Sequence, residues 1–146
     1  MEKKIRFVRL SKKMLTAQRV VGINALLKQL SKRAKDLSKN DLIRKLRKPI
    51  FWLVALDGKT IAGMAAICFR EPPIDKIGTI EGVVAAQAYQ GRGIGEKLNR
   101  LLIKEAKKRK LDYIELTSKP KRKAANALYK KLGFKKPKTN YLRLYL

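Results

Sequence analysis

The stretch Gln90-Gly91-Arg92-Gly93-Ile94-Gly95 follows an apolar run over residues 80–86 and opens an amphipathic segment over 96–110. That order reads as strand, glycine turn, helix. Glycines at alternate positions permit backbone conformations closed to other residues and let the main chain come close to a ligand. The free N–H groups of a helix's first turn point into the same space, so a turn of this kind suits a phosphate. Two common phosphate loops do not fit. A dinucleotide fingerprint G-x-G-x-x-G starting at Gly91 needs glycine where Glu96 stands, and one starting at Gly93 needs it at Leu98. A Walker loop ending in Gly58-Lys59-Thr60 needs glycine at Leu53.

The 146 residues are expected to form one domain over 1–146, burying about two-thirds of the surface exposed by the unfolded chain. The longest apolar runs, 50–56 and 61–69, are far shorter than the ~18 residues that span a bilayer. Residues 1–6 are charged but no apolar h-region follows, so no signal peptide is expected and a cytoplasmic location is. The lone cysteine, Cys68, excludes an internal disulfide and is expected as a small buried side chain. With no histidine, no metal site is expected. The net charge of +26, from 37 Lys and Arg against 11 Asp and Glu, raises nucleic acid as a partner. The lysines are scattered through every segment rather than gathered in a block, which favours a solvated basic surface. Such a surface attracts anionic ligands and repels small polycations.

Periodicity gives the remaining elements. A strand is predicted over 3–10, a helix over 14–32 on Ala17, Val20, Val21, Ile23, Leu27 and Leu30, and a short helix from a capping box at Ser38-Lys39-Asn40-Asp41 to Pro49. An Asp-Gly turn at 57–59 joins strands 50–56 and 60–69 as a hairpin, with Trp52 in the core. Glu71-Pro72-Pro73 and residues 75–78 form a loop. The strand over 79–86 is small, apolar and expected to be buried on both faces. Ile94, Leu98, Leu101, Leu102 and Ala106 make the buried stripe of the next helix. A strand over 112–117, a helix over 124–132 stopped at Gly133, and a closing strand over 138–146 complete the chain.

The pattern Gln-x-x-Gly-x-Gly at 90–95 and the pattern Asn-x-x-Tyr-x-x-x-Gly-Phe at 126–134 together resemble the GNAT superfamily of acetyl-CoA-dependent N-acetyltransferases. The resemblance covers essentially the whole chain. It implies an α/β fold of the α+β kind: a mixed, mostly antiparallel sheet of six to seven strands flanked by about four helices, in the order βααβββαβαβ with a further split strand. It also implies transfer of the acetyl group of acetyl-CoA to an amine in a ternary complex. Main-chain N–H groups of Gly91, Arg92, Gly93, Ile94 and Gly95 are expected on the coenzyme's pyrophosphate, in the cofactor-binding loop that Gln90 opens and with the charge of Arg92 added, one near Val83 or Val84 on the thioester, and Asn126 on the coenzyme arm. Lys130, Lys131 or Arg122 can reach the 3′-phosphate.

An amine of pKa about 10.4 must lose a proton before it attacks, and Glu81 is the carboxylate best placed in the sequence to receive it. Burial beside Ile80 and Val83 is expected to raise its pKa, and an orienting or structural carboxylate is the alternative. Asp75 and Glu71 are weaker choices. The resemblance makes Tyr129 the acid that protonates the departing thiolate, while its neighbours Leu128, Leu132 and Phe134 suit a plain core aromatic. Departures from the family pattern are Gln90 for the commoner arginine, Ala85-Ala86 for Val-Asp, and Gly82 after Glu81, where a bulge is permitted. The acceptor is left as a protein, peptide or small amine, with no membrane partner, as a monomer or homodimer. A basic nucleic-acid-binding module and an inactive coenzyme sensor stand as alternatives.

Overall fold

A computed structural model describes residues 4–146. The chain up to Leu116 forms one compact unit and Thr117–Leu146 another. In the first, five strands lie side by side in chain order: β1 (Arg6–Arg9), β2 (Ile50–Asp57), β3 (Thr60–Arg70), β4 (Ile77–Ala85) and β5 (Tyr113–Glu115). Neighbours are antiparallel except β4 and β5, which are parallel and joined by the crossover helix α3 (Ile94–Lys108). Helices α1 (Ala17–Leu30) and α2 (Lys39–Leu46) lie between β1 and β2 in the chain. Lys3, where the first strand was expected to begin, lies outside the described residues.

The mixed, mostly antiparallel sheet is the expected one, but among the described residues it has five strands rather than six or seven. The predicted closing strand over 138–146 is absent, and Leu142, Leu144 and Tyr145 are 87, 84 and 77% exposed. Alternating Tyr/Arg and Leu describes a strand only where a partner strand takes the ladder bonds and one face is covered. Neither condition holds here among the described residues. β5 is likewise cut from the expected 112–117 to three residues.

Local chemistry explains the helix ends. Thr16 caps α1 by accepting from Arg19 N at 3.3 Å. The capping box of α2 forms as expected, with Ser38 Oγ accepting from Asp41 N at 3.1 Å and Asp41 Oδ2 from Ser38 N at 2.9 Å. The Ser38 amide holds the Asp41 carboxyl below its ordinary range. Gly58 stands first in a two-residue hairpin loop at φ +59°, the position and sign a II′ turn asks of glycine.

One sheet face, including Trp52, Val54, Met64 and Ala66, packs with Ile23 and Leu26 of α1 and Leu42 of α2. Val21, expected on the buried face of α1, is exposed. The opposite sheet face receives α3. There a Cβ on Gly63 would lie 2.8 Å from Ile94 Cγ2 and 3.0 Å from the Val84 carbonyl oxygen. Gly63 therefore sets how closely the start of α3 approaches the sheet. On α3, Asn99 is buried in place of the expected Leu101, which is half-buried.

Gly63→Ala is expected to destabilise the protein by about 1–3 kcal/mol, the usual cost of overpacking, read as a lower urea midpoint at unchanged slope.

Candidate functional site

β4 has a neighbour on both sides only over Ile77–Thr79, where it pairs with β5. From Ile80 to Ala85 it is bonded to β3 alone, so among the described residues no strand covers its other edge. The pairing shifts from Ala66↔Glu81 to Met64↔Val84, leaving one extra residue on β4, and Gly82 sits there at φ +64°. This is the bulge the sequence permits. It bends β4 beside Val83 and Val84, on a strand edge whose main-chain groups are open to a ligand.

β4 runs on through Ala86 into a 3-10 turn, Gln87–Tyr89. Three hydrogen bonds hold this passage: Ala86 N donates to Ala62 O at 2.8 Å, Gln29 Nε2 to Ala85 O at 2.8 Å, and Tyr89 Oη to Asp57 Oδ2 at 2.7 Å. The last of these raises the Tyr89 pKa above the ordinary phenol value. The Arg92 guanidinium lies 5.1 Å from the centre of the Tyr89 ring.

Gln90 then leads into Gly91 at φ +78° and Gly93 at φ +75°, the latter capping α3. A Cβ on either glycine meets nothing within 4 Å, so the left-handed backbone, not lack of room, requires glycine there. Among the described residues, none of the N–H groups of Gly91, Arg92, Gly93, Ile94 and Gly95 has a protein acceptor. They lie at the positive end of a 15-residue helix. Its first-turn carboxylate, Glu96, is paired with Arg100 at 2.9 Å. Asn99 Nδ2 donates to Gly95 O at 2.8 Å from a fully buried position. These open donors fit a diphosphate.

On the other side of β4, Trp52, Ala66 and Glu81 form one row across β2, β3 and β4. That row floors a cavity of about 340 Å³ whose apolar lining is Leu27, Leu37, Ile50, Trp52, Met64 and Ala66, with Lys35, Lys45, Glu81 and Gly82 at its polar parts. Glu81 is exposed there, which corrects the expectation of a buried carboxylate. The bulge and the short β5 leave β4 buried at Ile77, Gly78, Ile80 and Val84 but only partly covered elsewhere, instead of buried on both faces throughout. Cys68 is half-buried rather than buried, and burial followed by the charge of Glu81 pushes its thiol pKa up, with Lys45 pulling it down. Glu71 pairs with Lys76 at 3.9 Å, and neither it nor Asp75 lines this cavity. The sequence did not single out Lys35, Lys45 or Gln29, whose places depend on tertiary contacts.

The second unit carries α4 (Lys123–Lys131) with Asn126 and Tyr129. Phe134 N donates to Tyr129 O at 3.0 Å and Gly133 N to Lys130 O at 3.1 Å, with Gly133 at φ +98°. This is a Schellman ending, and the Tyr129 and Phe134 rings meet edge-on at 5.8 Å as its apolar contact. The Tyr-x-x-x-Gly-Phe spacing thus has a structural cause that does not involve the hydroxyl. Among the described residues that hydroxyl has no protein partner, and burial raises its pKa while Arg122 pulls it down. Asn126 Nδ2 donates to Lys119 O at 3.1 Å, and among the described residues its Oδ1 has no protein donor.

The acetyltransferase (GNAT) family model matches residues 23–134. No curated protein matches the sequence. Among solved structures, an acetyltransferase of Trypanosoma brucei is 24% identical, with 98% of this chain and 100% of that one covered and a TM-score of 0.80. A transcriptional regulator from Bacillus halodurans C-125 is 27% identical, covering 98% and 100% at 0.78. A predicted acetyltransferase from Clostridium acetobutylicum, solved with acetyl-CoA, is 20% identical, covering 97% and 96% at 0.77.

Gly93→Ala is expected to cost about 1–2 kcal/mol, the penalty of a left-handed Cβ, in urea unfolding.

Proposed function

The chain belongs to the acetyltransferase (GNAT) family, whose members use acetyl-CoA, and on that footing we propose that it acetylates a primary amine by direct attack while both substrates are bound. Acetyl-CoA, when bound, supplies an acetyl thioester. The five N–H groups of residues 91–95 with no protein acceptor, at the head of α3 and beside the open edge of β4, carry this reading. They hold the pyrophosphate, with Gln90 leading into the turn. The main chain at Val83 and Val84 donates to the thioester oxygen. Asn126 Oδ1 accepts from an amide N–H of the coenzyme arm.

Glu81, exposed in its cavity, takes the proton of the acceptor ammonium through water. The amine nitrogen bonds to the acetyl carbon, the carbon–sulfur bond breaks, Tyr129 gives its proton to the departing sulfur, and the second proton that the nitrogen sheds as the amide forms returns through water to the Tyr129 phenolate. Like any phenol, and with burial raising its pKa further, Tyr129 is protonated at neutral pH and so has a proton to give. The reading takes residues 1–146 as one N-acetyltransferase domain, supported by the two sequence motifs at 90–95 and 126–134. The proposed location is the cytoplasm; among the described residues, no helix is long and apolar enough to cross a membrane.

Calorimetry is expected to show saturable one-to-one binding of acetyl-CoA, and thiol release is expected to depend on added amine. Binding without amine-dependent release would contradict transfer. Tyr129→Phe and Glu81→Gln should each lower kcat by about a hundredfold and leave acetyl-CoA affinity within about twofold. The wild-type rate should fall on the alkaline side only above pH 10.0, as the Tyr129 proton is lost, and that limb should vanish in Tyr129→Phe. Because its hydroxyl lacks a partner, Tyr129→Phe should move stability by only about 0.5 kcal/mol.

A further inference from the structure

We propose that the acceptor is a small amphoteric amine, one that carries a carboxylate or phosphate besides its amino group, with the amine at Glu81 and the anion at Lys35 and Lys45. This rests on the acetyltransferase reading of the same site.

The cavity over the Trp52–Ala66–Glu81 row is about 340 Å³, near the lower end of the range that small-molecule sites occupy. Its walls are apolar, and the charged side chains lining it are one carboxylate and two lysines. Among the described residues, none of the three is in an ion pair. Nearby charges on the same elements behave differently. Asp36 pairs with Lys28 at 3.0 Å, and Asp41 pairs with Arg44 on α2. Cys68, next to Ala66 along the same face of β3, feels Glu81 and Lys45 with opposite sign, so both charges act on one region of the floor.

These charges discriminate among amines. A polyamine meets one carboxylate but two like charges, which disfavour it. A neutral amine engages Glu81 and leaves both lysines without a counter-ion. An amine with an anionic group satisfies all three, and an apolar body between its ends covers Trp52 and Met64. The lysine stems can pack on the apolar wall while their ammonium groups reach the anion.

The experiment is acetyl-CoA-dependent thiol release with matched acceptors: L-phenylalanine against L-phenylalaninamide, O-phosphorylethanolamine against ethanolamine, and spermidine. The anionic member of at least one pair is expected to have a kcat/KM about tenfold above its neutral partner, chiefly through KM. The pair showing the larger ratio identifies carboxylate or phosphate as the anion. Lys35→Met/Lys45→Met should collapse that ratio toward one, and Lys45→Glu should shift preference toward spermidine. Both positions are exposed, so folding is expected to survive, and a thermal shift by the anionic amine alone should be lost in parallel. Equal rates within both pairs, a preference for spermidine in the wild type, or a ratio that survives the double substitution would overturn the proposal while leaving acetyl transfer intact. Bound acetyl-CoA with no thiol release from any amine would overturn the transfer reading, and this proposal with it.

Discussion

Main-chain donors left without acceptors among the described residues are the constraint on which the rest of this structure turns. A helix can present its first N–H groups to a ligand only if the chain entering it does not consume them. Here Gly91 and Gly93 adopt left-handed conformations that carry the chain into α3 without spending those donors. Gly63 lets Ile94 settle against the sheet, and Tyr89 ties the approach to Asp57. Asn99 fixes the Gly95 carbonyl from inside the core. Each contact is modest by itself. Together they hold one cluster of donors still.

The same logic extends to β4. A central strand normally spends its backbone groups on two neighbours, but β5 pairs with only three residues of β4. The bulge at Gly82 then separates the residues that follow from the register before it. An open strand edge and an open helix end thus lie at consecutive points of one chain segment. The opposite side of the sheet row offers a cavity with uneven charge. One strand therefore borders both the open N–H groups and the cavity.

Much of this was legible in the residues, and for physical reasons. Glycines at alternate positions can be read because few other residues tolerate positive φ. Ser38 with Asp41, and Gly133 with Phe134, mark helix ends because their bonds are local. Features that depend on distant partners were misread. The alternation over 138–146 is that of a strand, yet it pairs with none among the described residues. The apolar run in β4 suggested burial on both faces, but the extent of β5 decides that, and Glu81 is exposed. Asn99 was passed over because a single amide on an apolar stripe looks like noise until its bond to Gly95 is seen. Lys35 and Lys45 were lost among many scattered lysines, since only the fold distinguishes those that line a cavity.

The central claim concerns particular amide groups, and it can be tested on them. In a two-dimensional ¹H–¹⁵N spectrum titrated with acetyl-CoA, the amide signals of Gly91, Arg92, Gly93, Ile94 and Gly95 are expected to shift most and to saturate together at one equivalent. Saturation with these five signals unmoved, and the largest changes elsewhere, would contradict the account.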